Sequence, residues 1–193
     1  MKNNLMNKPI ILASRSPRRS ELLGLCGIDF IVEPSDIEEV MDESLSLDER
    51  MQELAYQKAL PIAKKHPDDV VVGADTIVYI DELVIGKAHS RQEASDILHR
   101  MSGRWHSVKT GVCVLWGSEK YTFTETSQVK FFDLSDQDIE EYLDLDEWQG
   151  KAGAYAIQGY AVRFVEKIDG DYSNIVGLPV AKLYRLMKSL KKY

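Results

Sequence analysis

Apolar runs alternate along this chain with amphipathic segments, and this alternation predicts both strands and helices. The densest apolar run, VVVGADTIVYI at residues 70–80, has the length and composition of a buried strand. Shorter apolar or alternating runs predict further strands at residues 10–13, 29–33, 83–85, 107–116, 121–132 and 160–168. The close spacing of the runs within 76–85 and within 107–132 favours antiparallel hairpins.

Apolar residues at helical spacing predict helices at residues 17–25, 47–65, 91–101, 136–142 and 179–190. Helices that alternate with strands are typical of an α/β fold, and the hairpins favour a mixed, twisted sheet with flanking helices. The chain has no internal repeat and no Pro/Gly/Ser-rich linker. We therefore expect residues 1–193 to form a single domain.

Asp75 breaks the apolar pattern in the middle of the run at residues 70–80. Burying an unpaired carboxylate is costly, so this group is expected to be paired, protonated or bound to a metal. The preceding Gly73–Ala74 pair allows a bulge or a close approach of another backbone. An aspartate that accepts backbone N–H groups at such a bulge is the structural alternative to a functional carboxylate.

Lys58 breaks the apolar face of the helix predicted at residues 47–65, because it lies four residues after Leu54 and four before Ile62. Its stem is expected to lie inward, over the core. The alternative is a lysine that covers apolar surface with its stem while its ammonium reaches water.

The segment LASRSPRR, residues 12–19, leads from a strand directly into a helix. Ser16 followed by Pro17 is typical of an N-cap and a first helical residue. A helix N-terminus attracts anions, yet the first turn holds arginines where acidic residues are usual. Together with the Ser14 and Ser16 hydroxyls, these arginines favour phosphate binding; a solvated, capping turn is the alternative.

The net charge, the cysteines and the length of the apolar runs each exclude a class of function or location. A formal net charge of −7 argues against nucleic-acid binding through a broad basic surface. The cysteines Cys26 and Cys113 lie far apart, as expected of free thiols in a reducing compartment. With no apolar leader and no run near the roughly 18 residues that a span needs, we expect a cytoplasmic protein without membrane attachment.

The chain resembles the Maf family of nucleoside triphosphate pyrophosphatases over nearly its whole length. The resemblance rests on motifs that occur in the family's order: LASRSPRR (12–19), IEE (37–39), QKA (57–59), VGADTIV (72–78), GK (86–87), MSGRWHSVKTGV (101–112), KAGAYAIQG (151–159) and DYSNIVGLP (171–179). It implies a fold of two lobes around a central cleft, similar to inosine triphosphatase. It also implies hydrolysis of a nucleoside triphosphate to the monophosphate and pyrophosphate, with Mg²⁺ or Mn²⁺, by a homodimer.

The resemblance assigns a role to individual residues. The family's catalytic aspartate corresponds to Asp75, which would act as general base and metal ligand. Phosphate contacts would fall on Ser14, Arg19, Lys58 and Lys87. Glu39 would be a second metal ligand, although two adjacent glutamates in SDIEEV are by themselves more typical of a solvated loop.

Three positions separate the branches of the family by base. This chain has Arg18 after proline, Thr76 after the aspartate and Gln158 before a glycine, as in the branch that resembles dTTP/UTP pyrophosphatases. The side-chain amide of Gln158 could pair with the adjacent acceptor and donor of a uracil or thymine edge. Two alternatives remain: a pyrophosphatase for another base such as 7-methyl-GTP, and a non-catalytic nucleotide-binding regulator of cell division.

His106 lies in the SGRWH segment, where a surface or capping role is favoured over catalysis. In KAGAYAIQG, residues 151–159, the small residues allow the backbone to approach a ligand closely. A tight junction between elements is the alternative for this segment.

Overall fold

The structure is a computed structural model that describes residues 8–38 and 40–190. Within these residues the helices are α1 (Pro17–Leu25), α2 (Leu47–Lys65), α3 (Arg91–Met101), α4 (Asp136–Leu143), α5 (Tyr172–Val176) and α6 (Val180–Leu190). The strands are β1 (Ile10–Leu12), β2 (Phe30–Val32), β3 (Val70–Ile80), β4 (Leu83–Ile85), β5 (Trp105–Trp116), β6 (Glu119–Phe131) and β7 (Val165–Asp169). A short 3₁₀ helix spans Tyr160–Phe164.

The strands form one mixed sheet in the order β2-β1-β3-β5-β6-β7, and β4 pairs with β3 beside this path. Strand β1 runs parallel to both β2 and β3. Strands β3 and β4 are antiparallel, as are β6 and β7. The fold class predicted from the sequence, a mixed α/β sheet with flanking helices, is confirmed.

The chain divides into two compact units. The first comprises the residues up to Asp75, Thr110–Glu125 and the residues from Gly177 onward; the second comprises Thr76–Lys109 and Thr126–Val176. In the first unit, residues of β1, α2, β3 and β5 form a shared apolar core that includes Ile11, Ala59 and Val71. In the second unit, the rings of Phe131 and Phe164 meet edge to face.

Two glycines allow α2 to lie directly against the strands of the first unit. A Cβ added to Gly73 in β3 would lie 2.2 Å from the carbonyl oxygen of Ala55, and one added to Gly111 in β5 would lie 2.1 Å from that of Met51. Real Cβ atoms do not approach backbone this closely, so both positions require glycine. The close backbone approach predicted at Gly73 is therefore confirmed.

Helix α2 begins and ends where the sequence predicts. Its N-cap, Ser46, accepts a hydrogen bond from the Glu49 N–H, and the Glu49 carboxylate accepts one from the Ser46 N–H. Acidic residues lie in the first turn and lysines in the last, which suits the helix dipole.

The segment at residues 160–168 differs from the predicted strand. The structure has a 3₁₀ helix followed by β7, and the buried residues Ala161 and Phe164 are three apart, the spacing of a 3₁₀ helix rather than of a strand. Helix α5 was not predicted, because five residues are too few to show a helical period. In the part of the chain that is described, no helix combines the length and apolarity needed to cross a membrane.

Candidate active site

The turn after β1 is organised around the Ser14 hydroxyl. Its oxygen accepts a hydrogen bond from the Ser16 N–H at 3.2 Å and another from Arg19 Nη1 at 2.9 Å. A serine hydroxyl has two acceptor positions and one proton to donate. With both acceptor positions engaged, Ser14 can meet a ligand only as a donor, which suits a phosphate oxygen.

Helix α1 starts at this turn as predicted, with Ser16 as the N-cap and Pro17 as the first helical residue. The first turn carries no acidic residue, and within the described residues the Ser16 side chain makes no capping hydrogen bond. Arg15 lies before the helix and forms an exposed ion pair with Asp36. Arg18 lies half-buried in the first helical turn.

Arg19 is buried, and its guanidinium joins two distant parts of the first unit. Besides the bond to Ser14, its Nε donates to the carbonyl oxygen of Gly177 at 2.8 Å. Gly177 adopts a φ of 127°, a backbone conformation that favours glycine. Arg19 therefore holds the Ser14 turn against the start of the GLP sequence, a structural contact that sequence reasoning did not predict.

Lys58 on α2 and Asp75 on β3 form an ion pair. Their side chains are 16% and 17% exposed, so both charges lie largely out of water. The carboxylate is thus paired, one of the three states predicted for it, and the ammonium turns inward. The ion pair favours the inward position of Lys58 over the alternative, an ammonium solvated at the edge of the core.

The parallel pairing of β1 with β3 orients these groups. Ile11 pairs with Val71 and Leu12 with Val72, and the Ala13 N–H donates to the Val72 carbonyl oxygen at 2.8 Å. The Ser14 turn follows the end of β1, and Asp75 lies within β3 three residues after Val72, just beyond the level at which β1 ends. Both therefore lie at the carboxyl end of β1. In open α/β sheets the edge at the carboxyl ends of the strands is where ligands commonly bind.

The remaining sequence-predicted site residues belong to the second unit. Thr76 follows Asp75 in β3 and is half-buried. Lys87 is exposed, and its backbone forms an isolated antiparallel bridge with Ala152. Gln158 is exposed in the turn closed by the bond from the Gly159 N–H to the Ala156 carbonyl oxygen at 3.0 Å.

His106 is not at the surface, contrary to the interpretation favoured from the sequence. It is 2% exposed, and its Nε2 lies 2.9 Å from the Tyr155 hydroxyl. Burial lowers the pKa of His106 to about 4. Sequence reasoning missed the position because Ser107 and Lys109, polar neighbours that suggest a surface strand, are themselves buried.

A metal at this site would depend on few protein ligands. Glu39, the second ligand implied by the family resemblance, lies outside the described residues. Among residues 8–38 and 40–190 no group of three His, Cys, Asp or Glu side chains is placed to hold a metal. Asp75 offers a hard carboxylate oxygen, and Mg²⁺ is often held by one or two carboxylates with substrate phosphates and water, so the donor set fits such a metal.

Comparison with known proteins identifies relatives that span the chain. A protein from Bacillus velezensis named dTTP/UTP pyrophosphatase is 48% identical over 95% of this chain and 97% of its own length. Proteins with the same name from Pyrococcus abyssi and Clostridioides difficile are 48% and 45% identical, each over 93% of this chain and at least 93% of their own length.

A solved structure of a nucleoside-triphosphatase, dITP/XTP pyrophosphatase, from Mycobacterium abscessus is 15% identical, with a TM-score of 0.42. It covers 64% of this chain and 73% of that one, a likeness too weak to carry an argument. The sequence model of the family described as Maf-like protein matches residues 9–190. The chain therefore belongs to the Maf family.

Proposed function

We propose that this protein is a nucleoside triphosphate pyrophosphatase that hydrolyses dTTP and UTP to the monophosphate and pyrophosphate. The observation that carries the proposal is the Lys58–Asp75 ion pair, largely withdrawn from water in the part of β3 that lies just beyond the end of β1. The choice of base follows the relatives, which are named dTTP/UTP pyrophosphatases and cover this chain almost fully.

Asp75 acts as general base in this proposal. It accepts a proton from the attacking water while the water oxygen bonds to phosphorus, and the anhydride bond between the α and β phosphoryl groups breaks to release pyrophosphate. A general base of this kind contributes roughly 10² to 10⁴ in rate. Lys58, beside the base, bears the positive charge that offsets negative charge developing on the phosphates.

The Ser14 turn binds and orients the triphosphate. Its hydroxyl donates to a phosphate oxygen, and Arg19 keeps the turn in place through its bonds to Ser14 and Gly177. Arg18, Arg19 and Lys87 add positive charge along the phosphates, as the family resemblance implies. Holding the reacting phosphorus and the base at the right distance and orientation can raise the rate by several orders of magnitude.

A divalent cation, Mg²⁺ or Mn²⁺, is part of the proposal, with Asp75 and Glu39 as its protein ligands. When bound, such an ion neutralises and polarises phosphate oxygens.

Arg18, Thr76 and Gln158 set the base preference. Gln158 is exposed and carries both an amide donor and an amide acceptor, which match the adjacent donor and acceptor on the edge of uracil or thymine. The names of the relatives favour this reading over 7-methyl-GTP and over a non-catalytic regulator of cell division.

A substrate panel tests the function. The purified protein is incubated with Mg²⁺ and dTTP, UTP, CTP, GTP or 7-methyl-GTP, and released pyrophosphate is measured. We expect dTTP and UTP to give the highest kcat/KM. Preferred cleavage of 7-methyl-GTP would reject the base assignment, and tight UTP binding without product would reject the enzyme.

A cytoplasmic location and a homodimeric state complete the proposal. Cys26 and Cys113 are both free thiols, which suits a reducing compartment. Cell fractionation tests the location, and light scattering of the purified protein tests the dimer.

A further inference from the structure

The segment at residues 151–159 carries Gln158 and has two residues in the left-handed region. Gly153 and Ala154 adopt φ angles of 69° and 55°. The second value is unfavourable for a residue with a Cβ, because the left-handed region brings that atom close to the following carbonyl oxygen. Contacts outside the segment must therefore hold this conformation in place.

The first anchor lies at the start of the segment. The Gly153 N–H donates to the Gly86 carbonyl oxygen at 3.0 Å, and Ala152 forms the backbone bridge with Lys87. A Cβ at Gly153 would lie 2.8 Å from a methyl of Val78, so the backbone here rests directly on β3. The same contacts fix the backbone of Lys87.

The second anchor lies at the end of the segment. The Glu147 carboxylate accepts a hydrogen bond from the Tyr160 N–H at 2.8 Å. A Cβ at Gly159 would lie 2.2 Å from this carboxylate, so the glycine leaves room for the carboxylate in this position. The contact with Glu147 therefore fixes Gly159, whose N–H closes the turn that contains Gln158.

The third anchor is a side-chain pair in the middle of the segment. Tyr155 is 6% exposed, and its hydroxyl lies 2.9 Å from Nε2 of His106. Both rings meet Phe131 edge to face, with centroids 4.7 and 5.0 Å away. At neutral pH the imidazole is uncharged, since burial lowers the pKa of His106, so this is a bond between two neutral, buried groups.

We propose that the His106–Tyr155 pair positions the base-selecting residue: it holds the interior of the segment at residues 151–159, and thereby the amide of Gln158, in place. The inference rests on the proposed function. Tyr155 directly follows the left-handed Ala154 and lies three residues before Gln158. Without the hydrogen bond of the Tyr155 hydroxyl, the part of the segment between the two end anchors gains conformational freedom. Gln158 lies in this part.

Tyr155→Phe tests the inference, because it removes one hydroxyl and keeps the ring. The readout is kcat/KM for UTP divided by kcat/KM for CTP, two nucleotides whose bases differ in the donor and acceptor at the 4-position. A ratio from one enzyme preparation does not depend on the fraction of folded protein. We expect the ratio to fall by roughly 2- to 10-fold, the worth of one hydrogen bond.

Ser127→Ala is the matched control in the same unit. The Ser127 hydroxyl is buried and accepts hydrogen bonds from the Asp171 N–H and from Asn174, none of which belongs to the segment. We expect this variant to lower the melting temperature and to leave the UTP/CTP ratio unchanged. His106→Gln, which keeps a polar atom for Tyr155, should retain more of the ratio than His106→Leu.

An unchanged ratio in Tyr155→Phe would overturn the positioning role, and so would an equal fall in Ser127→Ala. Failure of the positioning role can be told apart from failure of the proposed function. In the second case the unmutated protein would release no pyrophosphate from UTP.

Discussion

Lys58 and Asp75 depend on each other because both are largely removed from water. The attraction between opposite charges grows as the surrounding dielectric falls, and removal of either partner leaves the other with an uncompensated desolvation cost. The Lys58 ammonium already neutralises the Asp75 carboxylate. A triphosphate that binds Lys58 therefore shares this ammonium with Asp75. In the proposed reaction, this shared charge couples the Asp75 carboxylate to the bound phosphates.

His106 predicts an acid-sensitive contribution to stability. Its pKa is about 4 in the folded protein and about 6.5, the ordinary value, when unfolded. Between these values the unfolded state binds more protons, so stability is lost as the pH falls from about 6.5 to about 4. We expect urea midpoints of the wild-type protein to fall more steeply across this window than those of His106→Leu.

Carboxylates with lowered pKa values, such as Glu33 and Asp81, also lose stability in acid, but they do so equally in both proteins. The difference between the two midpoints is therefore the quantity to follow. A difference that stays constant from pH 7 to pH 4 would contradict the buried, neutral imidazole.

At the residue scale, the sequence predicts which side chains are out of place but not what they contact. Asp75 in an apolar strand and Lys58 on an apolar face are both visible from period alone. Their pairing depends on how α2 lies against β3, which no local pattern contains. The burial of His106 could not be predicted at all, because nothing near it in the sequence indicates a contact with Tyr155, 49 residues away.

The packing of α2 on the sheet predicts a large effect of Gly73→Ala. The added Cβ would lie 2.2 Å from the Ala55 carbonyl oxygen, which belongs to a helix backbone and cannot turn away. We expect a loss of about 1–3 kcal/mol in the free energy of unfolding, the usual cost of overpacking. Because displacement of α2 moves Lys58 relative to Asp75, kcat should also fall by roughly tenfold or more.

Gly24→Ala is the control for this substitution. Gly24 lies in α1, and an added Cβ meets nothing within 4 Å. Because alanine favours a helix over glycine by about 0.5–1 kcal/mol, this variant should be as stable as the wild type or more stable, with unchanged kcat. Equal tolerance of both substitutions would show that α2 does not depend on close contact at Gly73.

Element boundaries are predictable where a capping residue or a strict period marks them. Ser46 and Glu49 mark the start of α2, and the helical spacing of apolar residues predicts that the helix continues to Lys65. The 3₁₀ helix at Tyr160–Phe164 has neither signal, since its conformation depends on burying Ala161 and Phe164 together. Tertiary packing decides such short segments.

At the scale of the whole molecule, the proposed metal should matter for turnover and not for folding. Asp75, the proposed ligand that the structure describes, is already neutralised by Lys58, so the folded chain does not need an ion to balance this charge. We expect EDTA to abolish pyrophosphate release from UTP and excess Mg²⁺ to restore it, while the melting temperature without nucleotide stays the same. A large drop in melting temperature with EDTA would indicate a structural metal instead.

The order of motifs along the chain made the family predictable, because eight separate segments agree in sequence and position. The mixed sheet also follows from the sequence, since short connections between strands require antiparallel pairs beside the parallel ones. The division into two units does not, because three of its four boundaries fall inside the long strands β3, β5 and β6 rather than in linkers.

Asp75→Asn is the most direct test of the central claim, that this carboxylate is the general base. The variant keeps the shape of the side chain and removes its ability to take a proton. Asp69→Asn, which removes the carboxylate that pairs with Lys8 in the same unit, is the control.

The measurement is kcat for pyrophosphate release from UTP at saturating Mg²⁺, with the melting temperature recorded to verify folding. We expect Asp75→Asn to remain folded and to lose at least about 100-fold in kcat, the lower bound for a general base, while Asp69→Asn keeps wild-type turnover. Near-native turnover in folded Asp75→Asn would contradict the account.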